Sequence, residues 1–578
     1  MLPARAVLLP LLLGSASLAG CFVDAPRLNA TNSPQDLGFG AVSLLSSGGF
    51  SMDVPIEAYF LGFDAKTVAA IAEKLPPTVI EHAASSTDRA FPPSADTTPL
   101  GGQSLPASAK PRASFHVVDF DGATEAAFAA AAEGWKVPAV EGTYDANAAE
   151  AWLAARVEDA RGRPLERAHP VFVVIHGGTS LGDHAWRYNF SHGWLDRLRI
   201  FGERLPLTVF DVSAQPDPFV VEPHRSPEAI AFGTAFGPTR PADYDWPLNA
   251  TGEKTVAAVA QLTLDSAHWR FLKGPTFPIS TKPCHHVTLL LAVHTTAITE
   301  ALPGWVRAKD SIDVESLRSA FVNLTSDDVS VDLKVLALPR DDPVLDALAR
   351  EGGATLAGLD VLRWYLDENF ETFVMPRQGC EEYLSLLLWG DAATYASTGG
   401  ISMYDVQRSH RLSFSFVPET KRVQEMYEGP GEEFVNERNE SRVLWNWATM
   451  LYAHETGHLF GQQHPQHVSR VNEGLGTSHS FEAIYSVMGY QQDDRMVDFG
   501  AVDHSTWTMG RAGYSIAEAQ ERDLVGSPEL ADALTRLAAG DWIGAHEALE
   551  ARLEEERTDG SPALPEYHFV EILDHGER

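Results

Sequence analysis

The sequence predicts an α/β (α+β) protein built from more than one domain, and three observations lead to that class. The chain has 578 residues, 44% of them hydrophobic, which is enough to bury more than one core. Runs rich in β-branched and apolar residues alternate with Ala-rich segments of helical period. Residues 442–460 contain no proline, which predicts a long helix near the carboxyl end.

The first half of the chain is predicted to hold a small βα unit and then an α/β accessory region. Val54–Phe63 has the pattern of a strand and Ala65–Leu75 that of a helix. Ser85–Arg112 is rich in Pro, Ser and Gly and is predicted to be a linker. These patterns divide the region into units at 54–112 and 113–324. The accessory region has predicted strands at Phe115–Phe120, Val171–Ile175, Leu207–Val212 and Val287–Val293, and predicted helices at Thr124–Glu133 and Asp145–Ala160.

The second half is predicted to contain a further group of strands and to end in short helices. Ser527-Pro528 and Gly540-Asp541 are typical helix starts, so 516–578 is predicted to be a helical C-terminal extension. The elements predicted before it are a strand, a helix and two strands, at Val329–Leu338, Leu356–Phe370, Tyr383–Trp389 and Arg411–Val417.

One motif carries most of the chemical information. Residues 454–464 read HExxHxxGxxH, with His454, Glu455, His458, Gly461 and His464 at the fixed positions. His454 and His458 lie four residues apart, so on a helix their imidazoles share one face and can bind one metal ion. Gly461 can end the helix in a left-handed conformation, which would bring His464 back as a third ligand.

The ligand set predicts a catalytic rather than a structural zinc site. Three imidazoles leave one coordination position open, whereas a structural zinc is closed by a fourth protein ligand. Glu455 follows the first ligand and can accept a proton from a bound water. Ser441 is a candidate N-cap, and Trp447 and Leu451 continue the histidine stripe along an apolar helix face. Gly457 costs about 1 kcal/mol inside a helix, which close packing would explain.

This motif resembles the zinc signature of the metzincin clan of metalloproteases, nearest to the astacin-like and serralysin-like patterns. The resemblance implies a tight turn that carries a methionine beneath the metal, and residues 485–490 fit it with Met488. Tyr490 matches the position of a tyrosine that can approach the zinc. Residues 498–503 resemble the segment that leads into the last catalytic-domain helix of serralysin-like enzymes. The resemblance covers roughly residues 440–512.

The resemblance implies a zinc-dependent endopeptidase that acts on a peptide or protein substrate. Glu455 would accept the proton of a zinc-bound water as it attacks the scissile carbonyl, and Tyr490 would help to stabilise the oxyanion. The implied fold is a metzincin-like protease domain with a mixed sheet and an active-site helix, which we place at 325–515. Substrate would add to the edge of that sheet, for which Arg411–Val417 is the predicted strand.

The beginning of the chain predicts export and a lipid anchor. An apolar run ends in Leu18-Ala19-Gly20-Cys21, which resembles the lipobox of prokaryotic lipoproteins. The resemblance implies a signal peptide at 1–20, cleavage before Cys21 and acylation of its thiol, with a lipidated stalk at 21–53. The protein would then be extracytoplasmic and would contact the membrane through the lipid alone. A simple secretory signal, with Cys21 incidental, is the alternative.

The net charge limits the classes of partner that are expected, and the cysteine content limits the possible disulfides. The formal net charge of −35 argues against nucleic acid as a partner and against electrostatic binding to anionic lipid surfaces. Apart from Cys21, the chain contains Cys284 and Cys380. In an oxidising compartment these two can pair, and two free buried thiols are the alternative.

Two other functions are compatible with parts of the sequence. Residues 178–182 fit G-x-S-x-G after the Val171–Ile175 strand, which would make Ser180 the nucleophile of a serine hydrolase. A non-catalytic surface or adhesion lipoprotein with a relic metzincin domain is the other, although Glu455 and the three motif histidines are all present. His285, His286 and His294 are predicted to be ordinary histidines, because no partner carboxylate is suitably spaced in the sequence.

Overall fold

The structure is a computed structural model, and it confirms the α/β class with two mixed sheets and helices. The predicted signal peptide, Cys21 and most of the stalk lie outside the described residues, as do most of the linker and Leu356, Leu359 and Leu362. The described residues are 50–75, 78–79, 109–138, 141–169, 171–187, 200–214, 232–234, 237–239, 249–260, 263, 279–294, 312–338, 366, 369–389, 400–405, 410–417, 440–462, 485–488, 497–522, 524–558 and 571–574.

The first sheet has six strands in the order β2-β3-β1-β5-β8-β7. Strands β3, β1, β5 and β8 are parallel, and β2 and β7 are antiparallel at the two edges. A parallel sheet needs crossover connections, and helices of the first half supply them. The strands are β1 (Phe50–Leu61), β2 (Thr78–Val79), β3 (Ala109–Asp119), β5 (Val171–Ile175), β7 (Ile200–Gly202) and β8 (Leu207–Asp211), and outside this sheet lie β4 (Thr143–Asp145), β6 (Ala185–Arg187), β9 (Phe232–Thr234) and β10 (Gly237–Thr239).

Helices cover both faces of the first sheet, so its central strands are buried on both sides. Val171–Ile175 is buried at every position, as its unbroken apolar sequence predicts. The three longer helices named here each follow an N-cap aspartate whose carboxylate accepts a backbone N–H of the first turn. They are α1 (Ala65–Glu73), α2 (Gly122–Ala132) and α3 (Ala146–Arg161), followed by the short α4 (Gly178–Leu181).

The second sheet also has six strands, in the order β12-β11-β13-β15-β14-β16. The first four in that order are parallel, and β14 and β16 are antiparallel to their neighbours. The strands are β11 (Cys284–His294), β12 (Asp328–Leu338), β13 (Glu381–Trp389), β14 (Gly400–Asp405), β15 (His410–Val417) and β16 (Glu571–Asp574).

The remaining helices pack against one face of the second sheet and against the first sheet. Leu317 and Phe321 of α5, with Leu451 and Tyr452 of α7, share a buried cluster with the apolar side chains of β11. The predicted helix starts at Ser527 and near Gly540 are confirmed, because α9 and α10 follow them directly. The helices are α5 (Val314–Thr325), α6 (Phe370–Phe373), α7 (Glu440–Leu459), α8 (Ala501–Glu521), α9 (Pro528–Ala538) and α10 (Trp542–Thr558).

Three of the predicted domain boundaries cut continuous structure and are wrong as structural limits. The boundary at 112/113 divides a sheet, because β1 pairs with β3 along its whole length. The boundary at 324/325 separates β11 from the second sheet, although β11 lies between β12 and β13. The boundary at 515/516 falls inside α8. Strand pairing between distant segments leaves no local mark in the sequence, so composition alone misplaced these limits.

The predicted sheet edge is also wrong. Arg411–Val417 belongs to β15, which pairs with β13 on one side and β14 on the other. An edge strand and an internal strand can share the same local sequence pattern, so the tertiary structure decided that this strand has two neighbours.

A disulfide joins Cys284 to Cys380, with 4.4 Å between their Cα atoms. This settles the pairing that the sequence left open. Cys284 begins β11 and Cys380 precedes β13, so the bond joins two neighbouring parallel strands at their starts. Their sequence separation is 96 residues, and closing a loop of that size stabilises the folded state by at most about 4–5 kcal/mol in the chain-entropy model.

Among the described helices, none combines the length and apolar character needed to cross a membrane.

Candidate active site

Helix α7 presents the first two histidines of the motif on one face. The ring centroids of His454 and His458 are 5.0 Å apart, and the ring planes are nearly perpendicular at 89°. Both side chains are buried, and so is the side chain of Glu455 between them in sequence. The helix begins at Glu440, so the predicted N-cap Ser441 lies within it. The motif is therefore helical up to its second histidine, as its spacing predicted.

In each imidazole ring, one nitrogen is hydrogen-bonded to a backbone carbonyl oxygen. His454 Nδ1 lies 2.8 Å from the carbonyl oxygen of Val487, and His458 Nδ1 lies 2.7 Å from that of Gln462. A carbonyl oxygen only accepts hydrogen bonds, so each Nδ1 carries the proton and donates it. In a neutral imidazole the lone pair then resides on Nε2, so each ring can bind a metal ion through Nε2.

The end of helix α7 has the geometry predicted for Gly461. Its φ of 85° lies in the left-handed region, where a residue with a Cβ is strained. The Gln462 N–H donates to the Gly457 carbonyl at 3.0 Å, and the Gly461 N–H donates to that of His458 at 2.8 Å. This pair of bonds is a Schellman motif, which stops the helix one turn after His458 and redirects the chain. The same turn supplies the Gln462 carbonyl that orients the ring of His458.

Met488 packs directly against the helix at Gly457. A Cβ built on Gly457 would lie 2.6 Å from Met488 Sδ and 2.8 Å from Phe499 Cε1, both too close for any real contact. Met488 and Phe499 are buried in the same apolar cluster as the helix. This contact supplies the close packing by which the sequence analysis explained a glycine inside the helix, and it leaves Met488 beneath the motif.

The turn around Met488 is held by hydrogen bonds to the segment before α8. The Val487 N–H donates to the Asp498 carbonyl at 2.8 Å, and the Met488 N–H donates to Ser486 Oγ at 3.0 Å. Ser486 Oγ in turn donates to Asp503, whose carboxylate also accepts the Gly500 N–H at 2.8 Å. The Val487 carbonyl, which orients His454, therefore lies in a turn that these hydrogen bonds stabilise.

Glu203, a residue that the sequence did not indicate, connects the first sheet to this turn region. Glu203 is buried and has a left-handed φ of 77°. Its carbonyl and carboxylate accept the N–H groups of Ala501 and Val502 at the start of α8, at 3.1 and 2.9 Å. The preceding Gly202 carbonyl accepts the Tyr485 N–H at 3.2 Å. A negative charge at a helix start is favourable, but no local sequence signal identifies a partner so far away in the chain.

Three predicted functional residues lie outside the described residues: His464, Tyr490 and Cys21. In the described part of the chain, no group of three or more His, Cys, Asp or Glu side chains is arranged to hold a metal ion. The predicted ligand set includes His464, so that absence does not bear on the complete set.

Two of the histidines of β11, His285 and His286, do have carboxylate partners, contrary to prediction. His285 Nε2 lies 2.9 Å from Asp327 Oδ2. His286 Nδ1 lies 2.5 Å from Glu382 Oε2, and its Nε2 lies 3.1 Å from Asp332 Oδ2. Burial lowers the pKa of His285 below its ordinary value despite Asp327. For His286, burial also lowers the pKa, but Glu382 and Asp332 outweigh it and leave the pKa raised. The partners come from neighbouring strands and loops, so sequence spacing could not reveal them.

Among the described residues, His184 is not placed to form a serine-hydrolase triad with Ser180 of the G-x-S-x-G segment. His184 Nδ1 lies 2.9 Å from the Gly182 carbonyl, and its Nε2 lies 2.6 Å from Asp211 Oδ2. Both ring nitrogens are therefore bonded to groups other than Ser180, and His184 is not placed to accept the proton of that hydroxyl.

Comparison with known proteins adds no family assignment. No protein-family model matches the chain, and no curated protein matches it.

Proposed function

We propose that this chain is a zinc-dependent endopeptidase, with His454, His458 and His464 as the metal ligands. The observation that carries the proposal is the pair of carbonyl contacts at Nδ1 of His454 and His458. They favour, in two rings on one helix face, the tautomer with the proton on Nδ1 and the lone pair on Nε2, an arrangement that two ordinary buried histidines do not need to share. His464 is assigned by its position in the motif.

The residues fit a zinc ion by their chemistry. Neutral imidazoles are among the preferred ligands of Zn²⁺, and three of them leave a position open for substrate. When bound, zinc supplies a Lewis acid that acidifies a coordinated water and polarises a carbonyl group.

The chain's own residues supply proton transfer and positioning. Glu455 is the general base, which takes a proton from the attacking water and passes it to the leaving amine. Its burial keeps bulk water away from the reaction and strengthens electrostatic interactions there. Tyr490 donates a hydrogen bond to the oxyanion, a role assigned from the family pattern alone. Val487 and Gln462 hold the rings in place through their carbonyls.

The proposed location is outside the cytoplasm, with the lipidated Cys21 as anchor. The Cys284–Cys380 disulfide supports it, because such bonds persist in oxidising compartments and are rare in the cytosol. The disulfide joins the starts of two strands of the second sheet, and helix α7 packs against that same sheet.

Replacing the base tests the proposal most directly. Glu455→Ala removes the proton acceptor and leaves the three histidines, so turnover of peptide substrates should fall by roughly two to four orders of magnitude. Zinc content should stay near one per chain. Metal analysis and turnover are measured on the same preparation. Near-normal turnover with zinc bound would refute Glu455 as base, and absence of zinc from the unaltered chain would refute the metal site.

A further inference from the structure

The edge of the second sheet nearest helix α7 is covered by the chain's own C-terminal strand. Strand β14 pairs with β15 on its inner side and with β16 on its outer side. The β16 pairing is antiparallel, with Gly400 opposite Asp574 and Met403 opposite Glu571. Without β16, the backbone N–H and C=O groups of Gly400–Asp405 would form an open sheet edge.

Helix α7, which carries the histidine motif, packs on this part of the sheet. Helix α7 packs across β13, β15 and β14, whereas α5 packs on β12 at the opposite side. An extended peptide that adds to an open sheet edge gains main-chain hydrogen bonds whatever its sequence. A peptide added at β14 would run beside the helix that carries His454 and His458, and one added at β12 would not.

Strand β16 is attached in a way that permits it to leave. It has four residues and a single neighbouring strand, whereas strands usually have five or six. Residues 559–570 connect it to α10, which ends at Thr558. A segment of that length spans up to roughly 40 Å when extended, so the strand can be released without disturbing α10.

We infer that β16 is an internal competitor of substrate: it occupies the β14 edge where an extended polypeptide substrate would pair, and it leaves when substrate binds. The inference rests on the proposed peptidase function for its biological meaning. The competition itself is a property of the sheet edge and can be measured without catalysis.

The test compares two full-length variants that differ in where two prolines are placed. Neighbouring residues of a strand direct their N–H groups alternately, so Ile572→Pro with Leu573→Pro removes a donor to β14 whichever residue supplies it. The matched control, Ala563→Pro with Leu564→Pro, introduces the same two prolines before β16. Circular dichroism and a thermal transition establish that both variants fold.

The first measurement is binding of a fluorescently labelled peptide with the sequence of residues 567–578, followed by anisotropy. If the internal strand covers the edge about 90% of the time, its release should tighten peptide binding about 10-fold in the Ile572/Leu573 variant. The control variant should bind like the unaltered chain. Equal binding to all three proteins, or to none, would overturn the inference.

The second measurement is amide hydrogen exchange. Within residues 400–403, the amides that pair with β16 should exchange faster in the Ile572/Leu573 variant and at an unchanged rate in the control, and added peptide should restore their protection. Should the variant fail to fold, the Glu455→Ala chain serves instead: excess peptide substrate should expose the amides of 571–574. Continued protection of 571–574 at saturating peptide would overturn the inference.

Peptide hydrolysis then separates this inference from the proposed function. In the Ile572/Leu573 variant, KM should fall about 10-fold while kcat stays within about 2-fold. If no protein hydrolyses peptides but binding and exchange change as described, the proposed function fails and the competition stands. If hydrolysis is normal and KM is equal in all three, the competition fails and the function stands.

Discussion

At the scale of single residues, the candidate site depends on which nitrogen of each imidazole is occupied. The carbonyls of Val487 and Gln462 hold Nδ1 of His454 and His458, so both rings can offer Nε2 to the same ion. Carbonyl partners that orient a ligand ring typically affect metal affinity by 10- to 100-fold when lost. The motif histidines are thus arranged by backbone atoms, which a motif of side chains does not include.

Two substitutions distinguish a ligand from a residue that acts only on the oxyanion. His464→Ala leaves two imidazoles, which is too few to hold zinc tightly, so dialysis against a mild chelator should remove the metal. Tyr490→Phe deletes one hydroxyl, so zinc should remain while turnover falls roughly 10- to 1000-fold. Metal content after dialysis and steady-state kinetics are measured for both. Full zinc retention by the His464 variant would show that the third ligand has been misassigned.

Gly457→Ala should destabilise the protein although alanine favours helices. The new Cβ would meet Met488 Sδ and Phe499 Cε1 at 2.6 and 2.8 Å, and overpacking of a buried site costs about 1–3 kcal/mol. The helical gain of about 1 kcal/mol offsets only part of that. Gly122→Ala is the control, because a Cβ at that position would meet nothing within 4 Å and should change stability by less than about 0.5 kcal/mol. Denaturant unfolding reports both, and equal effects would contradict the packing explanation.

At the scale of elements, a buried ion pair ties β6 to β8 in the first half of the molecule. The carboxylate of Asp211, the last residue of β8, accepts hydrogen bonds from His184 Nε2 at 2.6 Å and from Trp186 Nε1 at 2.7 Å. Both ring nitrogens of His184 face acceptors, Asp211 and the Gly182 carbonyl, so the protonated ring can donate a hydrogen bond to each. Burial lowers the pKa of His184, but the Asp211 charge outweighs it and leaves the pKa raised. Burial raises the pKa of Asp211, and the His184 charge and hydrogen bonds outweigh it and leave the pKa lowered.

These shifts predict how the stability of the protein depends on pH. Because the pKa of His184 is raised in the folded state, its protonation stabilises the fold fully at pH values below the unfolded-state pKa of about 6.5. This stabilisation is lost as the pH rises through the folded-state pKa. Because the pKa of Asp211 is lowered in the folded state, its ionisation stabilises the fold at pH values above the unfolded-state pKa of about 3.9. This stabilisation is lost as the pH falls through the folded-state pKa. His184→Gln should therefore cost most between about pH 4 and 6.5, by about 3 kcal/mol, and less at higher pH. Urea unfolding of both proteins from pH 5 to 9 measures this, and a pH-independent difference would contradict the ion-pair assignment.

At the scale of the whole molecule, helix α8 joins the two sheets into one structure. Its Met509 and Ile516 pack in the cluster that includes the first sheet, and its Trp507 and Tyr514 pack in the cluster of the second. Its first turn is bound by Glu203 from the β7–β8 connection of the first sheet. The upstream half of the chain therefore contributes directly to the support of the turn that orients His454.

Cys21→Ser should release the protein from membranes, because the proposed lipid is the sole anchor that the sequence predicts. The unaltered protein should sediment with membranes and resist a high-salt wash, and the variant should remain in the supernatant. Fractionation followed by immunoblotting measures the distribution. A Ser46→Ala variant, altered in the predicted stalk, controls for changes in expression. If the Cys21 variant still sediments after the salt wash, the lipobox interpretation is wrong.

The sequence by itself determined the positions of eight of the sixteen described strands and of helices α1, α2, α3, α7, α9 and α10, and with α7 the helical course of the motif. Apolar periods, aspartate caps and the spacing of His454, His458 and Gly461 are local properties, and hydrogen bonding within a helix or along a strand follows them. Only the tertiary structure decided that β11 and β15 are internal strands of the second sheet and that β16 covers β14. It also decided the partners of His285 and His454 and the contact that excludes a side chain at Gly457. These features join residues far apart in the chain, and such contacts depend on packing of the whole core, which no local pattern records.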